Sequence, residues 1–239
     1  MATNRPLVIP RVIGHRGAAA RAPENTLAGF RRAAELGCAW IEFDVRLSGD
    51  NQPIVFHDDT LERLTDGAGP VAQATLRDLM KLDAGGEPIP TLAATLAQLA
   101  TSRLGANLEM KAEPGREQAL AEAVARGVAD APRIDLLVTS FSMPALTAIA
   151  RIAASLPRGI LRERIGPDWR AAAAGIDAAA IACDHRYLTR DQAASVRDAG
   201  LPLLTYTVND PSRAKELFGW GVSAVISDAP DAILAARPD

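Results

Sequence analysis

The strongest constraint on the fold is a rhythm. Short apolar runs rich in β-formers alternate with Ala- and Leu-rich stretches along the 239-residue chain. Eight runs read as strands: RVIGH, WIEFDVRL, GANLEMK, DLLVTSF, RGILR, AAIACDH, PLLTYTV and SAVISD. Helical patterns lie between most of them. In NTLAGFRRAAELG, Leu27, Phe30 and Ala34 share one face and Gly37 is a candidate C-terminal cap. TLAATLAQLA, GREQALAEAVARGVA, SMPALTAIARIAASL, TRDQAASVRDAG and DPSRAKELFGWG keep the same habit. Repeated alternation of this kind predicts parallel strands with helices outside. Eight units in this length predict an α/β fold, a closed (β/α)8 TIM barrel. A doubly wound open sheet is the alternative. It is usually marked by a glycine-rich phosphate loop after the first strand, and GHRGAAA is not that loop.

One segment breaks the rhythm. EFDVRL is followed by SGDNQ and then PIVFHDDTLERL. Five polar, turn-forming residues between two β-like runs predict a hairpin that carries His57 back beside Asp44. The irregular stretch beyond it makes a small insertion after the second strand, spanning about 48–90. No linker, low-complexity tract or repeat divides the chain, so one domain over 1–239 is expected.

Charge narrows the function classes. A net charge of -3 gives no reason to expect nucleic acid, and an anionic substrate would need a local basic site or a metal. Cys38 and Cys183 sit in apolar surroundings and are expected as buried thiols in a reducing compartment. The opening segment is too short and too proline-broken for a signal peptide, and no run is long enough for a membrane span. The expectation is a cytoplasmic protein without stable membrane association. Alanine-rich outer helix faces admit a homodimer.

The chemistry concentrates where strands end. In WIEFDVRL, Ile41, Phe43 and Val45 point one way and Glu42, Asp44 and Arg46 the other. In GANLEMK, Asn107, Glu109 and Lys111 share a face. A barrel turns these charged faces inward. Three carboxylates there repel one another and are costly to desolvate, so something must neutralise them. Hard oxygen ligands in that number suit Mg²⁺ or Ca²⁺ better than zinc. His15 closes the first strand and His57 the hairpin, and this fold works at the C-terminal ends of its strands. Two histidines can divide general acid and general base duties. Arg16 and Lys111 supply positive charge that a phosphate accepts, and Gly14 and Gly17 allow close backbone approach. PENT reads as a helix start with Asn25 or Thr26 as the N-cap. A phosphodiester hydrolase fits this set better than a carbonyl enzyme.

GHRG…APENTLAGFRRAAELG, IEFDVRLSGDNQPIVFHDDTLERLTDGAG, LDAG, IPTL, LEMK, TSF, TYTVND and GVSAVISDAP resemble the bacterial glycerophosphodiester phosphodiesterases, the cytosolic members above all. The likeness runs from about Arg11 to Pro230. It implies a barrel enzyme that cleaves glycerophosphodiesters, such as glycerophosphocholine or glycerophosphoethanolamine, to sn-glycerol 3-phosphate and an alcohol. It implies a divalent cation on Glu42, Asp44 and Glu109, acid/base histidines at His15 and His57, and phosphate-binding cations at Arg16 and Lys111. It suggests attack by the substrate's own glycerol hydroxyl through a cyclic phosphate, with direct attack by water as the other route. It places Glu24 on the site's rim, where it orients the pair without binding metal, and Tyr206 at a position where Trp is at least as common. LDAG runs almost directly into GEPIPTL, where related enzymes often carry an aromatic stretch, so a more open site is expected. Two other readings remain: another phosphodiesterase on the same barrel, of phosphoinositide or lysophospholipid type, or a non-catalytic phosphodiester-binding barrel.

Overall fold

The computed structural model describes residues 7–236. The expected domain limits at 1 and 239 and the first residues of the opening segment lie outside them. In chain order the strands are β1 (Val12–Gly14), β2 (Trp40–Leu47), β3 (Pro53–Val55), β4 (Gly105–Met110), β5 (Leu136–Ser140), β6 (Arg158–Arg162), β7 (Ala180–Asp184), β8 (Leu203–Tyr206) and β9 (Ala224–Ser227). The helices are α1 (Leu27–Glu35), α2 (Leu76–Leu79), α3 (Leu92–Ser102), α4 (Glu117–Asp130), α5 (Met143–Ile152), α6 (Trp169–Gly175), α7 (Arg190–Asp198), α8 (Pro211–Gly219) and α9 (Pro230–Ala235).

The sheet runs β1-β9-β8-β7-β6-β5-β4-β2, and β1 pairs back with β2, so the ring closes. All eight of these strands are parallel to their neighbours, as the rhythm predicts for a (β/α)8 barrel. The ninth, β3, is the hairpin return, antiparallel to the upper half of β2.

Side chains sort by the strand period of two. Ile41, Phe43 and Val45 pack outward into the layer beneath the helices, against Phe30, Leu96 and Leu120 among others. Trp40 points inward with Ile13, Leu137, Leu161, Leu204 and Ile226, which fill the lower barrel. Along β2 the inward positions then change from indole to charge: Trp40, Glu42, Asp44, Arg46. The strand thus plugs the bottom of the barrel and arms the top.

The insertion has its own small core of Ile54, Phe56, Leu61, Val71, Leu79 and Ile89. Helix starts follow ordinary capping chemistry. Thr26, Thr91, Ser142, Thr189 and Asp210 each accept a backbone N–H in the first turn. Three helices have no counterpart in the sequence pattern: α2 is a single turn inside the insertion, and α6 and α9 follow β6 and β9. WRAAAAG is nearly all alanine and shows little amphipathic contrast, and PDAILA is a single short turn-and-a-half after the last strand. Cys38 and Cys183 are buried free thiols, pushed up to about 12 by burial.

Candidate active site

Carboxylate oxygens of Glu42, Asp44 and Glu109 lie within 4.8 Å of one another at the mouth of the barrel. The strand register explains the meeting: Asp44 of β2 pairs with Glu109 of β4, and Glu42 stands one inward position below. The site is electrostatically uneasy. Burial, then repulsion from Asp44 and Glu109, drives the Glu42 carboxyl well above the usual range. Burial and the charge on Asp44 push Glu109 up to about 7. Asp44 resolves the other way: burial works against its charge, but Arg16, His57, Lys111 and the Asn25 amide together hold it low. Oε1 of Glu42 is buried without a hydrogen-bond partner. A divalent cation fits this arrangement. It would use three hard oxygen donors at close range, occupy the orphaned Glu42 oxygen and cancel the repulsion.

Asn25 holds Asp44 in place. Sequence reading treated Asn25 as a cap candidate, but Thr26 takes that role. Asn25 turns inward instead, donating to Asp44 Oδ2 at 2.8 Å and accepting from the Asp44 backbone N–H at 3.2 Å.

The β1–α1 loop carries His15 and Arg16. Gly14 has to be glycine: a Cβ there would stand 1.9 Å from the Gly17 carbonyl oxygen. Arg16 sits in the left-handed region, φ 47°, a conformation that costs a non-glycine residue about 1–2 kcal/mol. The turn aims its backbone N–H at Glu42 Oε2, 3.0 Å away. Its guanidinium reaches Glu24 at 2.6 Å and Asp44 at 3.4 Å. Glu24 therefore stands behind Arg16, away from the carboxylate trio.

Each histidine has a carboxylate on the same ring nitrogen. His15 Nδ1 lies 2.6 Å from Asp228 Oδ1, just beyond β9. His57 Nδ1 lies 2.6 Å from Asp58 Oδ1. A carboxylate accepts only, so each Nδ1 carries a proton and each Nε2 faces the site, offering a lone pair in the neutral ring and a second proton in the charged one. His15 Nε2 is 3.8 Å from Glu42, and His57 Nε2 is 3.4 Å from Lys111 Nζ. Burial holds His57 below its ordinary pKa despite Asp44 and Asp58. Lys111 pairs with Glu109 at 3.0 Å and approaches Asp44 at 3.9 Å.

The hairpin differs from expectation by one place. Val55 faces Val45, so the Phe56 backbone, rather than His57, bonds Asp44. Phe56 is drawn into the insertion core, and His57 follows it onto the rim. There Arg46 anchors the loop, donating from Nε to the His57 carbonyl at 2.9 Å and pairing with Asp59 and Glu113. Tyr206 borders the inner cavity. Its hydroxyl donates to the Arg162 carbonyl at 2.8 Å, and its ring meets Phe141 edge-on at 6.1 Å.

Two cavities meet over the trio. The inner one, about 210 Å³, is bounded by His15, Glu42, Asn107, Tyr206 and Ile226. The outer cleft, about 770 Å³, is bounded by Arg46, Asp58, Thr60 and Ser142. His57, Glu109, Lys111 and Phe141 border both. Asp228, Asn25, Asp58 and Arg46 were not singled out for these roles from sequence. The quoted strings SAVISD, PENT and FHD contain three of them, and Arg46 shares a face with Glu42 and Asp44.

These groups stand at the C-terminal mouth of the barrel, where enzymes of this fold place their chemistry. The glycerophosphoryl diester phosphodiesterase family profile matches residues 15–232, and the chain is a member of that family. A glycerophosphodiester phosphodiesterase of Caldanaerobacter subterraneus is 30% identical over 93% of this chain and 96% of its own length. One from Bacillus subtilis is 29% identical over 92% and 83%. A phosphodiesterase of Oleispira antarctica, solved with the product sn-glycerol-3-phosphate, superposes with a TM-score of 0.93 at 35% identity, covering 95% of this chain and 96% of that one. The protein is thus a glycerophosphodiester phosphodiesterase. Among the described residues no helix is long and apolar enough to cross a membrane.

Proposed function

We propose that the enzyme hydrolyses small glycerophosphodiesters, glycerophosphocholine and glycerophosphoethanolamine among them, to sn-glycerol 3-phosphate and the free alcohol. The observation that carries this reading is the carboxylate trio set between two Nδ1-anchored histidines and two cations. Glu42, Asp44 and Glu109 would hold Mg²⁺ or Ca²⁺, which when bound offsets charge at phosphorus and lowers the pKa of an attacking hydroxyl. The product complex of the Oleispira relative supports the glycerol phosphate moiety as the part that is recognised.

Proton traffic divides between the rings. His15 borders the inner cavity alone and takes the proton of the attacking hydroxyl at Nε2. His57 borders both cavities and, in its doubly protonated form, gives its Nε2 proton to the departing alcohol, which leaves through the outer cleft. Arg16 and Lys111 grip the phosphate oxygens and stabilise the charge that grows on them. The same proton route serves the substrate's own glycerol hydroxyl, through a cyclic phosphate, or water. The buried free thiols of Cys38 and Cys183 and the net charge of -3 support a cytoplasmic enzyme acting on dissolved substrate.

The test is direct. Glycerophosphocholine is incubated with the enzyme and Mg²⁺ or Ca²⁺, and sn-glycerol 3-phosphate is assayed with its dehydrogenase. Release of that product, lost on chelation and restored by the added ion, supports the reading. Full turnover after thorough chelation removes the metal from it. Binding without turnover would favour a non-catalytic barrel.

A further inference from the structure

Arg63 takes no part in the chemistry above. It lies in the insertion beyond β3, and its side chain is half exposed. Its guanidinium nevertheless makes four hydrogen bonds to two carboxylates. Nε and Nη2 donate to Asp58 at 2.6 and 2.7 Å. Nη1 and Nη2 donate to Glu24 at 2.9 and 3.0 Å. Both carboxylates are themselves tied to the proposed machinery. Asp58 Oδ1 meets His57 Nδ1 at 2.6 Å, and Glu24 Oε1 accepts from Arg16 at 2.6 Å. The result is an unbroken chain from His57 through Asp58, Arg63 and Glu24 to Arg16.

We propose that Arg63 is a positioning residue that locks the His57 ring and the Arg16 guanidinium into one rigid unit. The proposal rests on the acid and phosphate-binding roles read above for those two residues.

Three observations carry it. First, His57 and Arg16 come from different segments, the end of the hairpin and the β1–α1 loop, whose tips are freer than the barrel beneath them. Arg63 spans them. Second, the geometry is that of a planar fork with each arm on a different carboxylate, which a flexible point charge cannot reproduce. An isolated exposed ion pair contributes little, but here Asp58 Oδ1 and Glu24 Oε1, both held by Arg63 Nη2, are the same oxygens that bond His57 and Arg16. Third, the charges alternate along the chain. Without Arg63, two carboxylates would share the rim with one cation fewer, and each would be free to turn away from the group it now orients.

The experiment compares R63Q and R63K with the wild type. Each is measured on glycerophosphocholine and on the same diester with 4-nitrophenol as leaving alcohol, at saturating divalent ion. Thermal midpoints and the dissociation constant for Mn²⁺ are measured alongside. R63Q is expected to lose on the order of 10- to 100-fold in kcat on glycerophosphocholine, the scale of a misplaced catalytic group. The loss should shrink with 4-nitrophenol, which needs little help from an acid, while KM rises for both substrates as Arg16 loses its brace. R63K should stay near R63Q. Thermal midpoint and Mn²⁺ affinity should hold.

Wild-type-like kcat and KM in R63Q would overturn the proposal. So would equal kcat losses on both substrates accompanied by a lowered midpoint, which would mark bulk structural support. If R63Q does not fold, R63K decides alone, since it keeps the charge and removes only the fork. A leaving-group-dependent loss in R63K then supports the proposal and wild-type kinetics overturn it. H57A and R16A are run in parallel. If they turn over normally, the acid and phosphate-binding roles themselves fall. If they are crippled while the Arg63 variants are normal, only the role of Arg63 falls.

Discussion

Asn25 and Asp44 grip each other from two sides, side-chain amide to carboxylate and backbone N–H to side-chain oxygen. Asn25 does so from a left-handed backbone, φ 56°, that few residue types adopt readily. The pair fixes which way one of the proposed metal ligands points.

Asn25→Ala should therefore weaken divalent-ion binding by about 10–100-fold, the usual cost of losing a group that orients a ligand. Calorimetric titration with Mn²⁺ or Ca²⁺ measures it. Unchanged affinity would show that Asp44 needs no such brace.

Asp228→Asn tests the His15 partner. An amide at that position can offer its NH₂ to Nδ1, which drives the ring proton to Nε2 and removes the lone pair facing the site. The expected loss in kcat is roughly 10²–10⁴-fold, the range of a disabled acid/base group. Steady-state assays at saturating ion measure it. Turnover like the wild type would remove Asp228 from the reaction.

The carboxylate trio sets a pH dependence with a definite sign. Glu42 and Glu109 titrate above the ordinary range in the ion-free protein, Glu109 at about 7. A carboxyl whose folded pKa is raised binds its proton better folded than unfolded. Its stabilisation is full below the unfolded value of 4.5 and is lost as pH rises through about 7. Ion binding must displace those protons, so its effect runs the other way. The rise in thermal midpoint on adding Mg²⁺ or Ca²⁺ should be small near pH 5 and grow steadily to about pH 8. Scanning fluorimetry across that range shows it. A shift independent of pH would place the ion elsewhere.

Arg46 is buried, and its loss strands several groups. Arg46→Met keeps the bulk but leaves the His57 carbonyl without its side-chain donor and Glu113 with Arg116 alone. The expected destabilisation is about 1–3 kcal/mol, read by urea denaturation. Activity should fall as well, because the loop that carries His57 loses its anchor.

The barrel was legible from the chain because its evidence is local. WIEFDVRL and GANLEMK alternate residue by residue, and that period alone sends Glu42, Asp44 and Glu109 inward. The register that brings Asp44 level with Glu109 adds what the pattern cannot contain. Asp228 was invisible as a partner because 213 positions separate it from His15, and nothing short of ring closure makes them neighbours. The hold of Asn25 on Asp44 was hidden for the opposite reason: helix capping by Asn25 or Thr26 already explains that neighbourhood locally, and Thr26 takes the cap. The one-place offset at His57 follows from Phe56, whose ring finds a core in the insertion that no strand pattern announces. Helix α6 was missed because alanine carries little contrast between faces.

The pairing of His15 with Asp228 straddles the seam where β1 meets β9. A chain emerging from the ribosome presents His15 long before Asp228, 213 positions further on. Until β9 is in place, the ring proposed to lift a proton has no Asp228 carboxylate behind it. The proposed chemistry is in this sense a readout of completed closure, switched on by the same event that turns an open sheet into a barrel.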